Sequence, residues 1–268
     1  SSVNCTNTCR SLWDGHGRWK DNIWLPYLSA QSRRRRNIPK PQTLRMGSLW
    51  IFGDSLGVRF HDSLSQKPLC RNIFVSCSRS YNWVYPVPNN NETLAKSLKD
   101  DLDFRPNIIL NSIRNVLRCS LMQSSHSVLV LNLGLHYPPS INFTTYQKLI
   151  DDVIVILHNR EKELGSSARV IWKTTTSIRK ENENPPRNVV SWRFFTEPRV
   201  RLFDAYAMSA MCKAGFEVLD VFPLTASYMP GTVDVVHYTN EVFNMAENEL
   251  EEYVKAGSNY KSASVCIT

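Results

Sequence analysis

The sequence predicts an α/β fold: a three-layer α/β/α sandwich on a parallel, flavodoxin-like sheet, with an irregular N-terminal strip in front of it. Two observations carry that expectation. Short apolar runs alternate with longer amphipathic segments from residue 48 onward, the mark of parallel strands joined by crossover helices. The run Val128–Leu133 is almost wholly apolar, as a strand buried on both faces should be.

Taken in order, residues 1–47 are rich in Trp, Gly, Arg and Pro and show little periodicity. They are expected to wrap as a strip on the body, residues 48–268. The run Arg33-Arg34-Arg35-Arg36 and the following Ile38-Pro39-Lys40-Pro41 form the natural linker, since Pro resists regular structure. Leu49–Phe52 reads as the first strand, Gly57–Leu64 as a helix and Asn72–Ser76 as a short second strand. Ile108, Ile109, Ile113, Val116 and Leu117 fall on one helical face. Val128–Leu133 is the central strand, and Tyr146–Leu164 a long amphipathic helix stopped by Gly165. Ala168–Thr174 is a strand, Pro198–Ala214 a helix followed by Gly215, Phe216–Val221 the last strand, and Glu241–Lys255 the closing helix. Sites in such folds lie at the C-terminal ends of the strands, where Ser55, Asn132 and Gly134 fall.

Composition narrows the setting. A chain of 268 residues with 42% apolar and 21% charged residues suits one globular body with a real core. It holds no run of eighteen or more apolar residues, so no membrane span is expected. Lys and Arg exceed Asp and Glu by 32 − 24 = 8, a field that favours anionic partners such as acidic glycans. Sequons at Asn4, Asn91 and Asn142 and seven cysteines without a paired C-x-x-C pattern point to the secretory pathway, extracellular or Golgi, and to disulfides rather than zinc. That compartment argues against nucleic acid. Cys70 and Cys77 are placed to pair locally, and Cys5 or Cys9 to tie the strip to the body. Seven is odd, so at least one thiol is free or pairs elsewhere.

The chemistry lies in two stretches. Ser48-Leu49-Trp50-Ile51-Phe52-Gly53-Asp54-Ser55 delivers a serine from an apolar strand onto a tight turn, and Asp234-Val235-Val236-His237 offers a carboxylate and an imidazole three residues apart. A serine hydroxyl needs a base, and the base needs a carboxylate to orient it. Alone, Gly-Asp-Ser is most often a turn and Asp-x-x-His a helix start. Together, in the order Ser…Asp…His, they predict acyl-ester chemistry through Ser55, His237 and Asp234.

At these residues the chain resembles the SGNH/GDSL hydrolase superfamily and, within it, the PC-esterase branch. Gly53-Asp54-Ser55 matches the nucleophile block and Asp234-x-x-His237 the terminal block. Leu131-Asn132-Leu133-Gly134-Leu135-His136-Tyr137, Trp172-Lys173-Thr174-Thr175-Thr176-Ser177 and Trp13-Asp14-Gly15-His16-Gly17-Arg18-Trp19 resemble the branch's middle and N-terminal segments. The chain departs from the superfamily in Val75–Tyr81, which has no glycine, and in Asn132-x-Gly134 where Gly-x-Asn-Asp is usual. The resemblance implies O-acetyl transfer to, or O-acetyl ester hydrolysis from, carbohydrate hydroxyls through an acyl-Ser55 intermediate. A carbohydrate or glycoprotein, including anionic glycans, would be the partner. An acetyl donor would be co-substrate of a transferase, and no bound cofactor or metal is implied. The oxyanion donors would be the Ser55 N–H, the Asn132 side chain and the Gly134 N–H. His136, Arg59 and Arg79 are candidate substrate contacts, and Trp13, Trp19, Trp24, Trp83, Tyr81 and Tyr85 candidate stacking platforms. Two other readings stand beside this one: an inactive relative that binds glycans or protein, and a lipid or small-ester hydrolase.

Overall fold

Alternation along the strands decides the architecture. The computed structural model describes residues 8–13, 15–27, 44–82, 101, 104–182, 194–257 and 263–266. The sequons at Asn4 and Asn91, Cys5, the Arg33–Arg36 run and its linker, Trp83 and Tyr85 lie outside the described residues. The strands are β1 (Thr8–Ser11), β2 (Gly17–Lys20), β3 (Ile23–Pro26), β4 (Ser48–Gly53), β5 (Ser76–Tyr81), β6 (Val128–Leu131), β7 (Arg169–Lys173), β8 (Glu217–Leu219) and β9 (Ala263–Cys266). The helices are α1 (Ser55–Ser65), α2 (Pro106–Arg118), α3 (Phe143–Leu164), α4 (Glu197–Lys213), α5 (Phe222–Ala226) and α6 (Asn244–Ala256).

Seven strands form one sheet in the order β5-β4-β6-β7-β8-β1-β9, parallel except for β9, while β2 and β3 form a hairpin. Phe52, Leu129, Leu131, Val170, Trp172 and Val218 point to one face and pack on α2, α3 and α4. Their neighbours Leu49, Ile51, Val128, Val130, Ile171 and Leu219 point to the other and pack on α1, α5 and α6. Both faces are therefore apolar and covered, the three-layer α/β/α arrangement that the sequence predicts. Gly165 takes φ +68° and its N–H bonds Glu161 O, closing α3 as its sequence position requires.

Three expectations are corrected. Asn72–Ser76 is not a strand: Leu69–Ile73 coils as a π-helical turn and the strand begins at Ser76. The Arg45 guanidinium grips Phe74 O at 2.6 Å and Cys70 O at 2.9 Å, and the Cys70–Cys77 disulfide closes the turn. Nor is the N-terminal strip irregular throughout, since Thr8–Ser11 is a strand of the body's own sheet, parallel to β8. Cys9 is disulfide-bonded to Cys212 of α4, 203 residues away. Finally, the helix expected to close the chain is followed by β9, antiparallel on β1. Cys119 is a free thiol. Among the described residues no helix is long and apolar enough to cross a membrane.

The tryptophans of the strip serve packing. Trp13 and Trp24 are buried, and Trp19 stacks edge-on against Tyr228 at 4.8 Å while its Nε1–H donates to Leu224 O at 3.0 Å. Tyr81, at the end of β5, stays half exposed.

Candidate active site

The order β5-β4-β6-β7-β8 makes the chain leave β4 toward one side for β5 and reach the other side at β6. A crevice opens at that reversal, beyond the C-terminal ends of β4 and β6. Ser55 and Asn132 follow those two strands directly.

Asp54 builds the turn that presents Ser55. It is the N-cap of α1, its Oδ1 accepting the Leu56 N–H at 2.9 Å while Oδ2 accepts the Leu135 N–H at 3.2 Å. One buried carboxylate thus caps the helix and fastens the loop after β6. Ser55 becomes the first residue of α1, so its N–H has no acceptor within the helix and lies at the positive end of the helix dipole. The Asn132 N–H continues the ladder to Phe52 O at 2.9 Å, and its side-chain Nδ2 donates to Lys173 O at 2.9 Å. Gly134 sits so close to that amide that a Cβ would fall 2.6 Å from Asn132 Oδ1 and 2.7 Å from Thr175 Oγ1. Only glycine fits there. Thr175 Oγ1 is buried with no hydrogen-bond partner.

The imidazole that meets Ser55 comes from 182 residues away. His237 Nε2 lies 2.9 Å from Ser55 Oγ, and His237 Nδ1 lies 2.7 Å from Asp234 Oδ2. Asp234 Oδ1 also accepts the backbone N–H groups of Val236 and His237, each at 2.8 Å. A carboxylate on Nδ1 makes that nitrogen the protonated one and leaves the Nε2 lone pair for the serine proton. Burial pushes the Asp234 carboxyl up, but the imidazole and the two N–H bonds outweigh it and hold it at about 2. The loop is tied to the segment after β7: the Arg179 N–H donates to Val235 O at 2.9 Å, Asn182 Nδ2 to Thr232 O at 2.7 Å, and the Tyr238 hydroxyl to Ser177 O at 3.0 Å. That segment is itself fastened by Asp204 of α4, which accepts the Thr175 N–H at 2.8 Å, and by Thr174, whose hydroxyl donates to Asp220 at 2.9 Å.

The other sequence-predicted residues divide. His136 lies at this end of the sheet. Arg59 is exposed on α1, one helical turn beyond Ser55. The Arg79 guanidinium holds Asp62 at 3.0 and 3.1 Å. Asn142 is exposed at the N-terminus of α3, with its side chain making no cap bond.

Two residues near the site went unread in the sequence. Asn82 donates its N–H to Gly53 O and its Nδ2 to the Tyr137 hydroxyl at 2.8 Å, tying β5 to the nucleophile turn and to the 132–141 loop. Lys173 is buried under the sheet, its Nζ 5.5 Å from the Phe60 ring and 5.8 Å from that of Phe243. Burial lowers its pKa to about 8, against the attraction of Asp54 and Asp204. The lysine ending an otherwise apolar strand was the available signal; Asn82, in a polar stretch, gave none.

No protein-family model matches the chain, and no curated protein matches it in sequence. Among solved structures it is similar to the lipase/acylhydrolase from Enterococcus faecalis, with TM-score 0.44, 13% identity, and 81% of this chain and 100% of that chain covered. It is also similar to a protein of Parabacteroides merdae described as a GDSL-like lipase, with TM-score 0.46, 12% identity, and 81% and 99% of the two chains covered. Likeness at this level carries no activity across; what the site can do follows from its own atoms.

Proposed function

We propose that the protein carries out serine-dependent acyl-ester chemistry of the SGNH type, moving O-acetyl groups on or off carbohydrate hydroxyls. One observation carries the reading: Ser55, His237 and Asp234 form a continuous hydrogen-bonded chain of 2.9 and 2.7 Å at the crevice of a parallel sheet. In the reaction Ser55 Oγ attacks the ester carbonyl while His237 takes its proton, and Asp234 stabilises the imidazolium that forms. The protonated His237 then delivers its proton to the leaving alkoxide, leaving acyl-Ser55. Water or a sugar hydroxyl, deprotonated by His237, attacks that ester and restores the serine. The Ser55 N–H at the helix terminus is the first oxyanion donor, assisted by the second Asn132 amide hydrogen and the Gly134 N–H. Each such donor is worth about 3–4 kcal/mol in the transition state.

The sugar and acetyl preference, an acetyl donor in a transferase, the affinity for anionic glycans and a lumenal or extracellular location belong to the same proposal. Two disulfides and the exposed Asn142 sequon support the location. The test is intact-mass labelling by a fluorophosphonate, alongside release of acetate from acetylated glycans. One label per wild-type chain, absent from Ser55→Ala and His237→Ala, is expected. In both variants turnover should fall by about 10⁴-fold or more at an unchanged melting temperature. A folded wild type that takes no label would refute the reading, and preference for long-chain over acetyl esters would move it to lipid hydrolysis.

A further inference from the structure

Three threonines follow β7, and their hydroxyls are used in different ways. Thr174 Oγ1 is fully engaged, donating to Asp220 Oδ1 at 2.9 Å and accepting the Val221 N–H at 2.7 Å. Thr175 and Thr176 are also buried, yet neither hydroxyl has a hydrogen-bond partner among the described residues. Such groups are rare in protein interiors, because an unpaired hydroxyl gives up its water and gains nothing. The backbone does not rest on them. The Thr174 N–H donates to Leu219 O at 3.1 Å and the Thr175 N–H to Asp204 Oδ1 at 2.8 Å. The Ser177 N–H donates to Thr225 Oγ1 at 3.0 Å and the Ile178 N–H to Glu197 Oε2 at 2.9 Å. Held at those four points, the segment keeps its course whether or not the hydroxyls are present.

Thr175 stands at the Asn132 and Gly134 end of the site. A Cβ placed on Gly134 would fall 2.7 Å from Thr175 Oγ1, 2.6 Å from Asn132 Oδ1 and 3.2 Å from Asn132 Nδ2. The hydroxyl and the carboxamide therefore face the same side of Gly134, and the missing side chain leaves them room. That carboxamide is anchored through Nδ2 on Lys173 O at 2.9 Å, and its terminal torsion is soft. Turns about this torsion and about Thr175 χ1 move the two oxygens relative to each other. The chemistry supplies a reason for them to meet. An amide is conjugated: when its N–H donates to an anion, electron density shifts onto its carbonyl oxygen, which becomes a better acceptor. Asn132 Oδ1 thus attracts a donor most strongly while an oxyanion draws on Nδ2. The Thr175 O–H is spent on no other partner.

Building on the triad and oxyanion reading above, we propose that Thr175 is a positioning residue for Asn132. Its hydroxyl, unpaired in the resting site, donates to Asn132 Oδ1 as the oxyanion develops. The bond fixes the amide plane so that the second Nδ2 hydrogen meets the oxyanion. Because it forms on the way to the transition state, it lowers the barrier without tightening substrate binding. Thr175 itself touches no substrate atom.

Three variants test this. Thr175→Val keeps the shape and loses the hydroxyl, while Thr175→Ser keeps the hydroxyl. Thr176→Val removes the other unpaired hydroxyl, one residue along. Each is compared with wild type for turnover of p-nitrophenyl acetate, fluorophosphonate labelling rate and melting temperature. In Thr175→Val kcat should fall about tenfold to a hundredfold with KM nearly unchanged. Labelling should slow by the same factor, because the phosphonyl oxygen occupies the oxyanion position. Melting should occur at or above the wild-type temperature, since the deleted hydroxyl was paired with nothing in the resting fold. Thr175→Ser and Thr176→Val should both stay within about threefold of wild type in kcat and in labelling. A slower Thr175→Val that also melts lower, or does not fold, would show a structural hydroxyl and overturn the proposal. Full activity in Thr175→Val would overturn it, as would a serine variant no better than valine or an equal loss in Thr176→Val. A folded wild type that takes no label would sink the triad reading, and this proposal with it. A labelled wild type with an indifferent Thr175→Val sinks this proposal alone.

Discussion

The nucleophile and its base are held by different kinds of structure. Ser55 stands where a buried strand meets a helix, with Gly53, Asp54, Leu56 and Gly57 around it all buried. Asp234 and His237 ride a loop, their side chains 53% and 20% exposed, and that loop is hydrogen-bonded to the segment 177–182. The sheet sets where the nucleophile is; hydrogen bonds between two loops set where its proton goes. Loss of stability should therefore be the signature of damage to the buried turn that presents Ser55, and loss of rate without loss of stability the signature of damage to the loop that carries Asp234 and His237.

The sharpest test of the base side is Asp234→Asn. Asparagine keeps an oxygen for the Val236 and His237 N–H groups, so the loop should keep its shape. Its NH₂ can only donate toward His237 Nδ1, which forces the imidazole into the wrong tautomer. Turnover should fall about 10⁴-fold with the melting temperature unchanged, measured as kcat on an acetyl ester. A loss below tenfold would mean that the carboxylate does not orient the base.

On the nucleophile side the corresponding substitution is Asp54→Ala. It strips the cap from α1 and leaves the Leu56 and Leu135 N–H groups without their acceptor inside a buried turn. Stability in urea should fall by about 2–3 kcal/mol, with activity falling alongside. If rate falls and stability does not, the contrast between the two sides is wrong.

These sides also differ in how far the sequence disclosed them. That Ser55, Asp234 and His237 would meet was legible because acyl-ester chemistry calls for those residue types and because the Asp-x-x-His spacing lets the carboxylate bond both the ring and its backbone. The place of Asn132 and Gly134 followed from the end of the apolar strand β6. The triad's supports were not legible. Asn182, Asp204 and Asn82 act through single hydrogen bonds to residues far along the chain, and no local pattern encodes those partners. The strand β1 was missed and β5 misplaced for a related reason: Thr8–Ser11 and Ser76–Tyr81 are polar, so neither gives an apolar run. The arginine run and the following Ile38-Pro39-Lys40-Pro41 suggested a linker, and β1, which precedes it, lies inside the body's sheet.

Asp204 offers a pH-dependent test of the base-side scaffold. Burial raises its carboxyl to about 8, more than the Thr175 N–H lowers it. The native state therefore keeps this proton up to about pH 8, whereas the unfolded chain releases it near pH 4. Between those values the folded protein binds more protons, so its stability from this group is full below about pH 4 and is lost as pH rises toward 8. Asp204→Asn keeps an oxygen for the Thr175 N–H and removes the titration. The variant should melt above wild type by about 2–4 °C at pH 8 and by less at pH 5, read by differential scanning calorimetry. An equal difference at both pH values would contradict the assignment.

The smallest expected effect is the most discriminating. Asn182 is exposed and lies outside any strand, and its side chain reaches Thr232 O at 2.7 Å, two residues before Asp234. Replacing it with alanine removes a surface hydrogen bond whose net contribution to folding is only about 0.5–1.5 kcal/mol. If the base loop owed its position to packing alone, activity would be untouched. If it depends on loop-to-loop hydrogen bonds, His237 should sample positions beyond reach of Ser55, and kcat should drop about threefold to tenfold with little change in KM. The fluorophosphonate labelling rate should fall by the same factor, because labelling needs the same His237–Ser55 contact and no sugar. A fall in KM-dependent terms alone would place Asn182 at the substrate instead, and would move the division between rigid and adjustable parts of the site away from the 177–182 segment.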